Sequence, residues 1–164
     1  MPPSPTIDLH VDALASAYDA RVVAACPQHA DRARDLLRRL SPDQWGIEWF
    51  LPAWLGEAFG LDPAVIHDLT VSNLLGLAAV RTVDDLADDA VAPADQDAAQ
   101  ALADDLLWEA LRPYRGWFPP DSAFWDRCNA WLATWRGSSA GADSDLPARG
   151  APLKVAALAA SLLA

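Results

Sequence analysis

The sequence PAVIHDLTVSNLLGLAAVRTVDDLADDAV, residues 63–91, is the stretch around which we expect the chain to fold. It opens with Asp62-Pro63, a helix cap followed by a first-turn proline, and it ends just before Pro93. Its apolar residues recur with the spacing of a helix. We therefore expect one central helix about 40 Å long, which we use as the reference for the rest of the chain.

Four aspartates, Asp84, Asp85, Asp88 and Asp89, lie at the end of this helix. They form two i,i+4 pairs of like charge, and the helix dipole disfavours negative charge at this end. A bound divalent cation would reverse both penalties, and hard oxygen ligands suit Mg²⁺. The sequence predicts a magnesium site at Asp84 and Asp88, with Asp85 as a ligand or as an acceptor that orients one. The alternative is a solvated acidic helix end.

The acidic residues continue the apolar face of the helix. At about 100° per residue, Asp84 and Asp88 fall within a band of about 80° that is centred on Leu77. A merely solvated acidic patch would instead lie opposite the apolar face. The residues that we expect to line a pocket beneath the aspartates are Thr70, Asn73, Leu77 and Trp49. Asn73 could instead be a satisfied core amide, and we expect Arg81 to pair with Asp85.

The rest of the chain also has helical spacing, and no segment has the period of a strand. Further helices are predicted at residues 7–26, 28–40, 41–60, 94–112, 122–136 and from about 149. Ser41-Pro42-Asp43-Gln44 resembles a capping box, Pro52 should kink or split its helix, and Pro113 should end another. The predicted class is all-α, with an N-terminal tail and amphipathic helices in residues 1–40 and a helical domain in residues 41–164.

Composition limits the possible partners. The 164 residues suit a globular chain, and the net charge of -11 argues against binding to nucleic acids or to anionic membranes. The two cysteines are far apart, as in a reducing cytosol, and the N-terminus lacks the pattern of a signal peptide. No uninterrupted apolar run reaches about 18 residues, so we expect no membrane span and a cytoplasmic protein.

Two motifs together resemble the class I isoprenoid synthase superfamily, which includes bacterial terpene synthases and trans-prenyltransferases. Asp84-Asp85-Leu86-Ala87-Asp88 resembles the DDxxD motif of that family, and Arg149-Gly150-Ala151-Pro152-Leu153-Lys154 resembles its basic helix start that holds diphosphate. The resemblance covers residues 41–164 and implies an antiparallel helical bundle. It implies Mg²⁺ at Asp84, Asp85 and Asp88, and an isoprenoid diphosphate held by Arg149 and Lys154.

The implied activity is ionisation of an allylic diphosphate, by a lyase that cyclises terpenes or by a prenyltransferase. The eight tryptophans could line the cavity, although any one of them suits a core. The second metal motif of the family is missing after Asp89, and the last helix has no stop signal. We therefore expect an N-terminal fragment that is inactive alone. The alternative is a non-catalytic helical module that binds a partner or forms a homodimer.

Overall fold

The computed structural model describes residues 10–138 and 151–164, and its side chains as far as residue 135 and again from residue 151. These described residues form seven α-helices joined by turns and two short 3-10 segments, and they contain no strand. The helices are α1 (Val11–Ala25), α2 (Ala30–Arg39), α3 (Gly46–Ala58), α4 (Pro63–Ala87), α5 (Gln96–Trp117), α6 (Ala123–Ser138) and α7 (Ala151–Leu163). The all-α prediction is confirmed.

Helix α4 is the centre of the fold. It contacts α1, α2, α3, α5 and α7, and every residue from Leu69 to Val80 is buried. The helix begins at Pro63, as the sequence predicts, and the Asp62 side chain caps it by accepting a hydrogen bond of 2.8 Å from the N–H of Ala64. Among the described residues it is the one helix long and apolar enough to cross a membrane, by length and composition alone. Neighbouring helices nevertheless bury 72% of that apolar window.

Helices α5 and α7 both run antiparallel to α4. On α7, Pro152 packs at Gly76 of α4, whereas Leu158 shares a cluster with Leu69 at the other end of α4. On α5, Ala110 lies near Gly76, and Leu107 packs further along α4 with Val80. The N-terminus of α7 therefore lies toward the C-terminal end of α4, where the aspartates are.

The N-terminal helices share the main core. Leu14, Tyr18 and Val22 of α1 belong to one buried cluster with residues of α4 and α5, including Leu75 and Leu102. This cluster joins residues that precede and follow residue 40, and the burial of its apolar side chains stabilises the fold. The domain boundary that we expect at residue 40 stays a prediction, and the core itself continues across it.

Two prolines lie inside helices, and each leaves one carbonyl without its helical partner. In α3, Pro52 cannot donate to the carbonyl of Glu48. The side chain of Asn73 on α4 takes the missing place, with Nδ2 donating at 2.6 Å to that oxygen. Helix α3 therefore continues through Pro52, and Asn73 is a core amide rather than a cavity wall.

The same arrangement recurs in α5. Pro113 has no N–H to offer the carbonyl of Glu109, and Nη2 of Arg21 on α1 donates to it instead. Our prediction that α5 ends before Pro113 is wrong, because a donor from another helix satisfies the carbonyl that the proline leaves open. The helix extends to Trp117.

Two further helix boundaries differ from the prediction. The carbonyl of Ser41 accepts from the N–H groups of Gln44 and Trp45 in a turn, so α3 begins at Gly46 and not at Ser41. Helix α4 ends at Ala87, four residues before the predicted end at Val91. The second difference changes the candidate site.

Candidate metal and diphosphate site

The aspartate segment forms the C-terminal cap of α4. Asp89 adopts a positive φ of 54°, which reverses the chain. The N–H of Ala90 then donates to the carbonyl of Asp85 at 2.9 Å, and the N–H of Asp89 donates to that of Leu86 at 3.4 Å. This is a Schellman motif, in which aspartate occupies the left-handed position that glycine usually takes. The sequence offered no glycine there, so our prediction placed the helix end too late.

Asp85 is held by two arginines. Its Oδ1 lies 2.8 Å from Nη2 of Arg81, and its Oδ2 lies 3.0 Å from Nη2 of Arg39 on α2. The pairing with Arg81 is as predicted. The pair with Arg39 was not expected, because residues 28–40 read as a solvated amphipathic helix. Because guanidinium groups pair with both oxygens and the residue is buried, the geometry favours the second of its two predicted roles, an acceptor held in place, over that of a metal ligand.

Asp84 and Asp88 remain as candidate ligands. Asp84 is half-buried in the last turn of α4, and Asp88 is the exposed C-cap residue one turn further on. In the described residues, no three His, Cys, Asp or Glu side chains converge on a point that could hold a metal ion. Two carboxylates are nevertheless a usual protein contribution to Mg²⁺, which completes its shell with water and phosphate oxygens. The donors present fit magnesium bound together with a phosphate ligand.

The N-terminus of α7 lies near the C-terminal end of α4, about one turn before Asp84. Its first residue, Ala151, forms a small cluster with Val80 and Trp135, and Val83 packs against the same cluster. Val83 adjoins Asp84 in the chain, and Val80 lies one turn, about 6 Å along the axis, before it. The structure therefore brings together the end of α4 and the start of α7, from Ala87 to Ala151, which are 64 residues apart in sequence.

Of the two basic residues predicted to bind diphosphate, the structure describes one. Lys154 is exposed in the first turn of α7, whereas Arg149 lies outside the described residues. The first turn also carries the backbone N–H groups of Ala151 and Leu153, which have no partner within an α-helix. The positive end of the α7 dipole thus points toward the acidic end of α4.

A narrow apolar crevice lies below this end of the bundle, between α4, α5, α6 and α7. Its walls include Gly76 and Val80 of α4, Leu107 of α5, and Pro152 and Val155 of α7. Its cavity volume is about 20 Å³. That volume holds roughly one water molecule. None of the eight tryptophans lines it, and the aromatic residue in its wall is Tyr114.

The four residues that we expected in the pocket do not line this crevice. Thr70 donates at 2.8 Å to the carbonyl of Ile66 one turn back, and Asn73 serves Glu48 as described above. Leu77 and Trp49 are buried in the main core, where the Trp49 indole donates to the carbonyl of Leu40. This face of α4 packs against neighbouring helices, while the face with Gly76 and Val80 borders the crevice.

The tryptophans serve mostly as packing residues. Trp49 and Trp135 are buried, Trp108 is 66% exposed beneath the guanidinium of Arg115, and the others are half-buried. The sequence did not single out Arg21 or Glu109, which form a buried charged pair between α1 and α5. The signal that could have located them is Pro113, since a mid-helix proline requires a donor from elsewhere.

Comparison with known proteins identifies no relative. No protein-family model matches the sequence, and no curated protein or solved structure matches it. The isoprenoid synthase type of bundle therefore stays a prediction from the two sequence motifs.

Proposed function

We propose that this chain binds the diphosphate group of an allylic isoprenoid together with Mg²⁺, as part of a class I terpene cyclase or prenyltransferase. The observation that carries the proposal is the antiparallel docking of α7 on α4. In this arrangement a helix N-terminus, which favours anions, lies toward the end of α4 that carries the carboxylates, which favour cations. Mg²⁺ and a diphosphate between them would neutralise both.

Each part has a distinct role in this proposal. Asp84 and Asp88 hold the metal, while Arg39 and Arg81 fix Asp85 and thereby anchor the last turn of α4. The first turn of α7 and Lys154 bind the diphosphate oxygens. When bound, Mg²⁺ supplies charge neutralisation of the leaving diphosphate. The N–H groups of α7 contribute in the same direction because they point at the charge that develops on those oxygens.

The hydrocarbon part of the substrate belongs in the apolar crevice next to this site. Its walls exclude water from a carbocation, and Tyr114 offers an aromatic ring. An isoprenoid needs a pocket of several hundred Å³, so α7 must move away from α4 when the substrate binds. Gly76 is the contact that permits the present close packing, since a Cβ there would lie 3.1 Å from Cβ of Pro152.

Calorimetric titration with geranyl methylenebisphosphonate, a non-hydrolysable diphosphate analogue, tests the proposal. We expect binding that requires Mg²⁺ and that weakens at least about tenfold in Asp84→Asn and in Asp88→Asn. Asp104→Asn is the matched control, because Asp104 is an exposed aspartate of α5 outside the site. Lys154→Gln should weaken binding of the analogue and leave the Mg²⁺ requirement unchanged.

Asp85→Asn separates a ligand from an anchor. We expect this variant to lose stability in urea while it retains magnesium-dependent binding, because the arginines and not the metal occupy its oxygens. Two results would overturn the proposal. One is that the analogue binds equally tightly in EDTA, and the other is that its binding is unchanged in the Asp84→Asn, Asp88→Asn double variant.

The small crevice favours a second candidate, a non-catalytic helical module that associates with a partner or with a second copy. A cavity of about 20 Å³ admits no isoprenoid as it stands. Sedimentation velocity over a range of concentrations, with and without the analogue, distinguishes the two candidates. A monomer that binds the analogue supports the enzymatic candidate, and a concentration-dependent dimer that ignores it supports the second.

A further inference from the structure

A second cleft opens at the other end of the bundle, between α1, α4 and α5. Its volume is about 370 Å³, and its walls are Arg21, Asp68, Arg112, Pro113, Gly116 and Trp117. This volume lies in the range of small-molecule sites and corresponds to about 7 Å across, the cube root of the volume. Asp68 precedes Asp84 by 16 residues of α4, or about 24 Å, so the cleft is separate from the site described above.

Charges of both signs line the cleft. Glu109 lies behind it and is shared by two arginines, with its Oε1 2.7 Å from Nε of Arg112 and 3.9 Å from Nε of Arg21. One carboxylate therefore faces two guanidinium groups, which leaves an excess of positive charge on that wall. Asp68, whose side chain is 55% exposed, contributes the negative charge of the cleft.

The two arginines are held differently. Arg21 is 12% exposed and bonded to Ser72 and to the carbonyl of Glu109, while its Nε is buried without a hydrogen-bond partner. Burial lowers the pKa of Arg21 from its ordinary value, against the opposing effect of Glu109. Arg112 uses Nε for Glu109, and its side chain is 64% exposed. Its two Nη groups can therefore reach a ligand in the cleft.

We propose that this cleft binds a small zwitterion of the amino-acid class. The carboxylate of the ligand pairs with the Nη groups of Arg112, where a planar bidentate pair is the favoured geometry. The ammonium group pairs with Asp68. An apolar side chain packs against the half-buried ring of Trp117, which forms a T-shaped pair with Tyr114 at a centroid distance of 5.7 Å.

Calorimetry with three related probes tests the proposal. L-Phenylalanine carries both charges, 3-phenylpropionate carries only the carboxylate, and 2-phenylethylamine carries only the ammonium group. We expect L-phenylalanine to bind at least about tenfold more tightly than either of the others, because each lacks one charged contact. Equal binding of phenylpropionate and phenylalanine, or no binding of phenylalanine, overturns the proposal.

Three variants and one control variant test whether phenylalanine binds in this cleft. Arg112→Gln and Asp68→Asn should each weaken phenylalanine binding about tenfold. Arg115→Gln is the control and should not weaken it, because Arg115 does not line the cleft and its guanidinium lies over the ring of Trp108. Gly116→Leu should block the cleft without unfolding the protein, since a Cβ at this helical glycine meets nothing within 4 Å. Unchanged binding in a folded Gly116→Leu variant also overturns the proposal.

Discussion

The side-chain donor that completes α3 around Pro52 can be tested by a double-mutant cycle. Asn73→Leu removes the amide that donates to the carbonyl of Glu48 and retains most of the side-chain volume. Pro52→Ala restores the N–H that this carbonyl would receive in an unbroken helix. The two changes are therefore made singly and together. If the hydrogen bond substitutes for the missing helical one, the cost of Asn73→Leu depends on residue 52.

The structure sets the size of the expected effect. An unsatisfied buried carbonyl costs about 1–3 kcal/mol, but Asn73 itself has a buried Oδ1 without a hydrogen-bond partner, and leucine removes that defect. We therefore expect Asn73→Leu to cost about 1–2 kcal/mol when Pro52 is present. With Pro52→Ala the carbonyl has its own helical partner, and the same change should cost close to zero. The coupling energy should be about 1–2 kcal/mol.

Urea denaturation followed by circular dichroism at 222 nm measures the four unfolding free energies. The urea dependence should be the same in all four proteins, because none of the changes alters the surface exposed on unfolding. The control is Thr70→Val, which removes a buried hydroxyl that bonds within α4 and should show no coupling to Pro52→Ala. A cost of Asn73→Leu that is equal in the two backgrounds would refute the reasoning.

Three other predictions follow from the same structure. Arg21→Met should cost about 3 kcal/mol in urea because it leaves the Glu109 carboxylate with one partner and its carbonyl with none, and Pro113→Ala should recover about 1 kcal/mol. Asp89→Gly should raise the unfolding free energy by about 1 kcal/mol, since glycine adopts the positive φ without strain, whereas a bulkier residue there should lower it. Burial raises the pKa of Cys128 to about 11 from its ordinary value of 9.0, so the native thiol should resist alkylation at pH 8. Its contribution to stability should be complete below pH 9 and lost as pH rises to about 11, measured against Cys128→Ala.

Local patterns in the sequence determined the class and the centre of the fold. The helical spacing of residues 63–91 and the Asp62-Pro63 start correctly located α4, because cap chemistry and apolar periodicity act within a few residues. The pairing of Arg81 with Asp85 was predictable for the same reason. The helix end at Ala87 was not predictable, since glycine is the residue that usually indicates a left-handed helix cap and Asp89 occupies that position here.

Tertiary structure decided everything that depends on a distant partner. Pro52 and Pro113 stay inside helices only because Asn73 and Arg21 come from other helices to bond the carbonyls that the prolines leave open. Likewise, Arg39 of α2 pairs with Asp85, and the docking of α7 determines which face of α4 borders the crevice. A helix presents several faces with similar apolar content, and the packing of its neighbours determines which of them remains available for a ligand.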